Sequence, residues 1–170
     1  MSCLGRQAIT WLPRLSARAT VLALLCAGLA LGCTPDPDGY VAASAEDSAA
    51  ADRAIERGEH EPAIERLRAI VEREVPASVA EEDARVIRQD AYDRWARVLM
   101  GRGEVDEARR VVDRGLALGE REDLFTANLL TTRGRLHEAR GRDREAARDY
   151  HRALVIEEAL LERALGGSDE

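Results

Sequence analysis

Arg57-Gly58-Glu59-His60, Arg102-Gly103-Glu104-Val105 and Arg140-Gly141-Arg142-Asp143 are three versions of one turn, and they decide the fold. Each sets a glycine between two helix-forming runs, where glycine can take φ > 0 and end a helix at its C-cap. Aligned on the glycine, the flanking residues fall into columns. Five residues on stand Ala63, Ala108 and Ala146; nine on, Leu67, Val112 and Tyr150; thirteen on, Val71, Leu116 and Leu154. Seven residues back stand Ala51, Ala96 and Gly134; eleven back, in the second and third copies, Tyr92 and Leu130. A small residue on each of two helices lets their axes approach closely, and larger apolar residues at i, i+4 and i+8 make a buried stripe on the second helix. The unit is a helix–turn–helix hairpin stated three times.

Outward from the turns the chain favours helix throughout. Ala, Leu, Glu and Arg dominate, and aromatic residues make up only 4%. Ala loses no side-chain entropy in a helix and the long straight side chains lose little. No segment alternates with the period of a strand. The pattern predicts an all-α fold of six helices near residues 44–57, 62–74, 79–100, 105–118, 122–139 and 143–165. Ser78-x-x-Glu81 reads as a capping box opening the third helix. The last helix meets no stop before Gly166-Gly167. Its extra turns, with Ala159, Leu160, Ala164 and Leu165, are expected to cap the open end of a stack of hairpins.

The hairpins resemble the tetratricopeptide repeat (TPR), an aromatic-x₂-Leu-Gly-x₂-Tyr helix followed by an Ala-x₃-aromatic helix and a proline. The second copy runs Tyr92-x₂-Trp95-Ala96-x₂-Leu99 and then Ala108-x₃-Val112. The third runs Leu130-x₂-Arg133-Gly134-x₂-His137 and then Ala146-x₃-Tyr150. The first is degenerate in its leading helix, where Asp47, Ala50, Ala51 and Ala54 stand, but keeps Ala63, Ile64, Leu67 and Ile70 in its second. The glycines are 45 and then 38 residues apart, against about 34 in the family. Pro76 falls one residue past the family's proline, and the other copies lack it. The resemblance spans about residues 45–155. It implies a short right-handed solenoid over 48–166 with an extended C-terminal helix.

It also implies a concave groove lined by the first helix of each hairpin. Carried over by position, Asp52, Asp93, Arg97, Thr131, Arg135 and Glu138 would face a bound protein segment. Arg97 and Arg135 occupy equivalent places and could both meet a carboxylate; the competing reading is an ordinary surface ion pair at i, i+4, Asp93 with Arg97. The family's clamp for C-terminal carboxylates uses Lys and Asn, and this chain does not match it.

The first 32 residues have a separate character. They hold Arg6, Arg14 and Arg18, no acidic residue, and the apolar run Thr20 to Leu31. Twelve residues reach about 18 Å as helix, short of a ~30 Å hydrocarbon core, so a signal-peptide core fits better than a membrane span. Ala30-Leu31-Gly32-Cys33 resembles the lipobox of bacterial lipoproteins, although that family favours Leu where Ala30 stands and a small residue where Leu31 stands. The resemblance implies cleavage before Cys33 and lipid on its sulfur. Thr34 in place of Asp implies the outer membrane, with the domain facing the periplasm. Ordinary signal peptidase could also cut after Ala-x-Gly and release a secreted protein. Cys3 and Cys26 would leave with the leader, so the remaining Cys33 could form no internal disulfide. From Thr34 to about Ser48 the prolines, glycine and small residues read as a flexible linker, about 20 Å in root-mean-square reach. Helix from Ala42 is the alternative.

Every basic residue is arginine; the net charge is −7, and −10 without the three leader arginines. An acidic surface disfavours nucleic acid and anionic lipid as partners. His60, His137 and His151 form no metal-binding spacing. No phosphate loop or nucleophile elbow is present, and Glu81-Glu82 and Glu157-Glu158 each point two ways on a helix. The expectation is therefore a non-enzymatic, lipid-anchored adaptor, scaffold or assembly factor of the bacterial envelope. It would have a protein partner, no nucleic acid, and no cofactor or metal beyond the lipid on Cys33. The alternative is a secreted helical protein that self-associates through its last helix.

Overall fold

The computed structural model describes residues 37–166; the leader at 1–32, Cys33 and the tail 167–170 lie outside the described residues. Six α-helices follow in order: α1 Pro37–Glu56, α2 His60–Glu72, α3 Glu81–Gly101, α4 Val105–Ala117, α5 Leu124–Glu138 and α6 Asp143–Gly166. No strand occurs among the described residues, so the fold is all-α.

The three glycine turns are built alike. Gly58, Gly103 and Gly141 have φ of 72°, 77° and 66°. In each, the residue after the glycine donates to a carbonyl five positions back: Glu59 to Ala54 at 2.8 Å, Glu104 to Leu99 at 2.9 Å, Arg142 to His137 at 2.9 Å. The glycine N–H bonds three back, to Ile55, Met100 and Glu138. This pair of bonds is the Schellman motif, which satisfies helix-end carbonyls only if the residue at C′ accepts a left-handed conformation.

Each helix packs on the next in sequence, and α3 also packs on α5 and more sparsely on α1. The core holds the columns read from the sequence: Ala51, Ala63, Leu67, Ala96, Ala108 and Val112 are fully buried. Gly134 shows why one column must be small. A Cβ there would lie 2.4 Å from Cε1 of Tyr150. Trp95 is buried, with Tyr92 stacked beside it at 6.3 Å and the Arg68 guanidinium 5.2 Å from its ring centre.

Several buried polar residues are paired across helices. Gln89 is fully buried; its amide donates to the carbonyls of Gly115 and Gly119, both at 3.1 Å, and its oxygen accepts from Arg85. Arg85 also holds Glu82 and Asp123. Asp123 in turn caps α5 by accepting from the Thr126 N–H at 2.8 Å. One network thus fixes the loop from α4 to α5 against α3.

Three expectations are corrected. Residues 37–47 are the first turns of α1, not a flexible linker: Tyr40, Ser44, Asp47, Ala51 and Ala54 are buried at i, i+4, i+7, i+11 and i+14. That spacing is one helical face. Asp47 accepts from Arg66 at 3.1 Å and from Arg73, tying α1 to α2. Second, the third helix does not open at Ser78: α3 starts at Glu81, with Ala80 at its N-cap. The chain turns there instead, with the Val79 N–H on the Pro76 carbonyl at 3.0 Å. Third, the last turns of α6 leave apolar surface open where a cap was expected. Ala159 and Leu160 are half-buried, but Leu154, Leu161 and Leu165 are 50%, 59% and 66% exposed.

Candidate functional site: a divided groove along α1, α3 and α5

The ion pairs set α1, α3 and α5 side by side in the same direction. Arg94 of α3 reaches Ser48 and Asp52 of α1; Thr132 of α5 reaches Asp93, and Arg85 near the start of α3 reaches Asp123 just before α5. Arg94 is the staple of the first pair. Its guanidinium donates to the hydroxyl and, at 3.1 Å, the carbonyl of Ser48, to Asp52, and to Asp90 at 3.4 Å.

This staple divides the space between α1 and α3. On the side of the helix N-termini lies an apolar cleft of about 230 Å³. Its walls are Val41, Ser44, Ala45 and Ser48 from α1, Val86, Ile87 and Asp90 from α3, with Ile70 and Phe125. Ser44 is 3% exposed, and its Oγ has no hydrogen-bond partner. On the other side lies a more polar notch of about 350 Å³ lined by Asp52, Ile55, His60, Arg94, Arg97, Val98 and Gly101.

The six residues carried over by position meet different fates. Asp52 is exposed and held by Arg94. Asp93 is 3% exposed, accepting from the Thr132 hydroxyl at 2.5 Å and facing Arg97 at 3.0 Å. Burial raises its carboxyl above the ordinary range, against the pull of Thr132 and Arg97. The i, i+4 pair is therefore formed, and it engages Arg97 with the chain's own carboxylate. Arg135 is exposed and adds its positive charge near Asp93. Thr131 is half-buried. Glu138 stands apart near the end of α5, accepting from the Tyr150 hydroxyl at 2.6 Å. Burial, followed by that bond, pushes Tyr150 up to about 12.

Sequence reasoning missed these walls of the cleft: Val41, Ser44, Ala45, Val86, Ile87 and Phe125. The signal available for α1 was the spacing of Tyr40, Ser44 and Asp47, hidden by reading 34–48 as linker.

A second polar cluster joins α4, α5 and α6. Arg133 grips Asp149 with two bonds, at 2.8 and 2.7 Å, and Arg109 pairs with Asp113 at 2.8 Å. His137, at a position expected to be packed, is 6% exposed, its Nε2 3.2 Å from Arg109. Arginine only donates, so Nε2 accepts and the proton sits on Nδ1. Burial, then the charge of Arg109, lowers the imidazole below its usual range.

Among the described residues, no three His, Cys, Asp or Glu side chains converge as metal ligands, and no helix is long and apolar enough to cross a membrane. No protein-family model matches this chain, and comparison with curated proteins and with solved structures finds no match.

Proposed function

We propose that this chain is a membrane-tethered protein-interaction module of the bacterial envelope. A lipid on Cys33 anchors it, the three hairpins stack as a TPR-like right-handed solenoid, and a protein segment docks in the groove. The observation that carries this reading is the open apolar cleft between α1 and α3. Six of its nine wall residues are apolar, and its one deeply buried hydroxyl, Ser44, has no partner. Concave apolar surface with a few polar groups is where ligands bind. The cleft makes apolar contact the source of affinity, and the polar notch beyond Arg94 supplies orientation. The helix-packing order, in which hairpins touch only their neighbours, is what a solenoid requires.

The test uses the full chain in its native envelope. A photo-crosslinking residue at Ala45 or Val86 should capture one partner that a probe at exposed Glu65 on α2 does not. Val86→Asp should abolish the capture. Cys33→Ala should remove acyl mass and release the chain from membranes. Equal crosslinking from all three positions would refute groove binding. Wild type and Cys33→Ala both soluble and without acyl mass would refute the anchor and leave a secreted form.

A further inference from the structure

Ser44 is out of place in the cleft between α1 and α3. It sits inside α1, where a serine hydroxyl ordinarily bonds the carbonyl four residues back. Its Oγ has no partner, and the residue is 3% exposed. A buried hydroxyl left unpaired is unfavourable, and this one stands in the wall of an open cleft. A group entering the cleft would satisfy it.

The other walls say what that group carries. Ser48 already accepts from Arg94, and Asp90 lies 3.4 Å from the same guanidinium with its side chain 42% exposed. No lysine, arginine or histidine lines the cleft. Its polar side-chain atoms are all oxygens, and its one charge is negative. An anionic head, such as that of a fatty acid, would meet Asp90 and find no cation. A plain alkyl chain would leave Ser44 unpaired. The complementary group is an apolar body with an N–H to give.

Volume narrows it further. A cavity of ~150 Å³ holds benzene, six ring atoms. The cleft, at about 230 Å³, takes about nine in the same proportion, the size of an indole. Indole has one N–H donor and no acceptor, and Phe125 in the wall gives its ring an aromatic neighbour. Tryptophan is also enriched among the anchors of protein interfaces, seated in desolvated pockets.

We propose that the α1–α3 cleft is the pocket for one tryptophan side chain of the partner, its indole N–H donating to Ser44 Oγ. The proposal rests on the groove reading above and names the anchor.

Indole set against indene, its carbon counterpart without the N–H, tests it. The full chain in detergent is titrated with each probe while NMR follows the methyl groups of Val41, Val86 and Ile87. Indole should shift them saturably and leave Val111 and Val112 in the core unmoved. Ser44→Ala should cut the preference for indole over indene about tenfold. Uptake of probe by detergent is the same for wild type and variant, so it cancels in that ratio. The Tm of unliganded Ser44→Ala should not fall, because the hydroxyl has no partner to lose. Val86→Asp should abolish the shifts from both probes. No saturable shift from indole overturns the proposal. So does a preference that Ser44→Ala leaves unchanged, or tighter binding of n-octanol than of indole, which would make the cleft an alkyl pocket. The groove reading can survive that failure: photo-crosslinking from Ala45 that persists without indole binding keeps the groove and removes only this anchor.

Discussion

Gly134→Ala isolates the closest helix crossing in the fold. The added Cβ would stand 2.4, 2.7 and 2.8 Å from Cε1, Cδ1 and Cζ of Tyr150, where carbon contacts prefer roughly 3.5–4.0 Å. The ring must therefore retreat by about 1 Å or more, lifting off α5 and straining its 2.6 Å bond to Glu138. Overpacking of this kind costs about 1–3 kcal/mol. Ala favours a helix interior over Gly by about 1 kcal/mol, which offsets part of it. The net expectation is destabilisation by about 1 kcal/mol, a fall in Tm of roughly 3–5 °C. In a Tyr150→Ala background the clash is gone and only the propensity remains, so the same substitution should stabilise by about 1 kcal/mol. Urea unfolding of the four proteins of this cycle, followed by circular dichroism, reads both signs. An unchanged or stabilised Gly134→Ala in the wild-type background, or the same effect in both backgrounds, would refute the packing argument.

Arg85→Ala removes a side chain only 4% exposed that holds Glu82, Gln89 and Asp123. It should cost about 3 kcal/mol, with amide exchange rising first in the loop between α4 and α5. Stability should also vary with pH in two opposed ways. His137 has a lowered folded pKa, so the unfolded chain takes up the proton first. Its contribution is complete above about pH 6.5 and is lost as pH falls through the folded value, and His137→Phe should flatten that slope. Asp93 has a raised folded pKa, so its effect runs the other way: stability rises as pH falls from the folded value towards the ordinary carboxylate range. Asp93→Asn keeps an acceptor for Thr132 and should abolish the dependence. Chemical denaturation between pH 4 and 8 of each single variant separates the two; slopes matching the wild type would refute the assignments.

The hairpin turns and the small-residue columns were legible because glycine at a C-cap and small residues at a crossing are local demands. Gly134 against Tyr150 and the buried Trp95 follow from that logic. The start of α1 was misread because Pro, Gly, Ala and Ser suggest linker by composition, whereas the spacing of Tyr40, Ser44, Asp47, Ala51 and Ala54 records a buried face. Proline also suits the first turn of a helix, where its missing N–H needs no partner. The groove was read by polar positions. Asp93 was expected at a surface and lies buried, because the approach of α3 to α5 at Thr132 is a tertiary fact that spacing within one helix does not encode. The walls of the apolar cleft depend likewise on four helices that meet only after folding.

The neighbour-only packing order has a mechanical consequence. A load drawn through the N-terminal end of α1 does not act on the whole core together. α1 is secured along its length by α2 alone, and to α3 it is joined sparsely, with Arg94 as the staple. Such a load peels the stack in sequence, one hairpin at a time, and does not shear it. The chain would then yield in small extensible steps at low force, starting with the hairpin that forms one wall of the cleft. Tension on this protein would open the groove before it unfolded anything else.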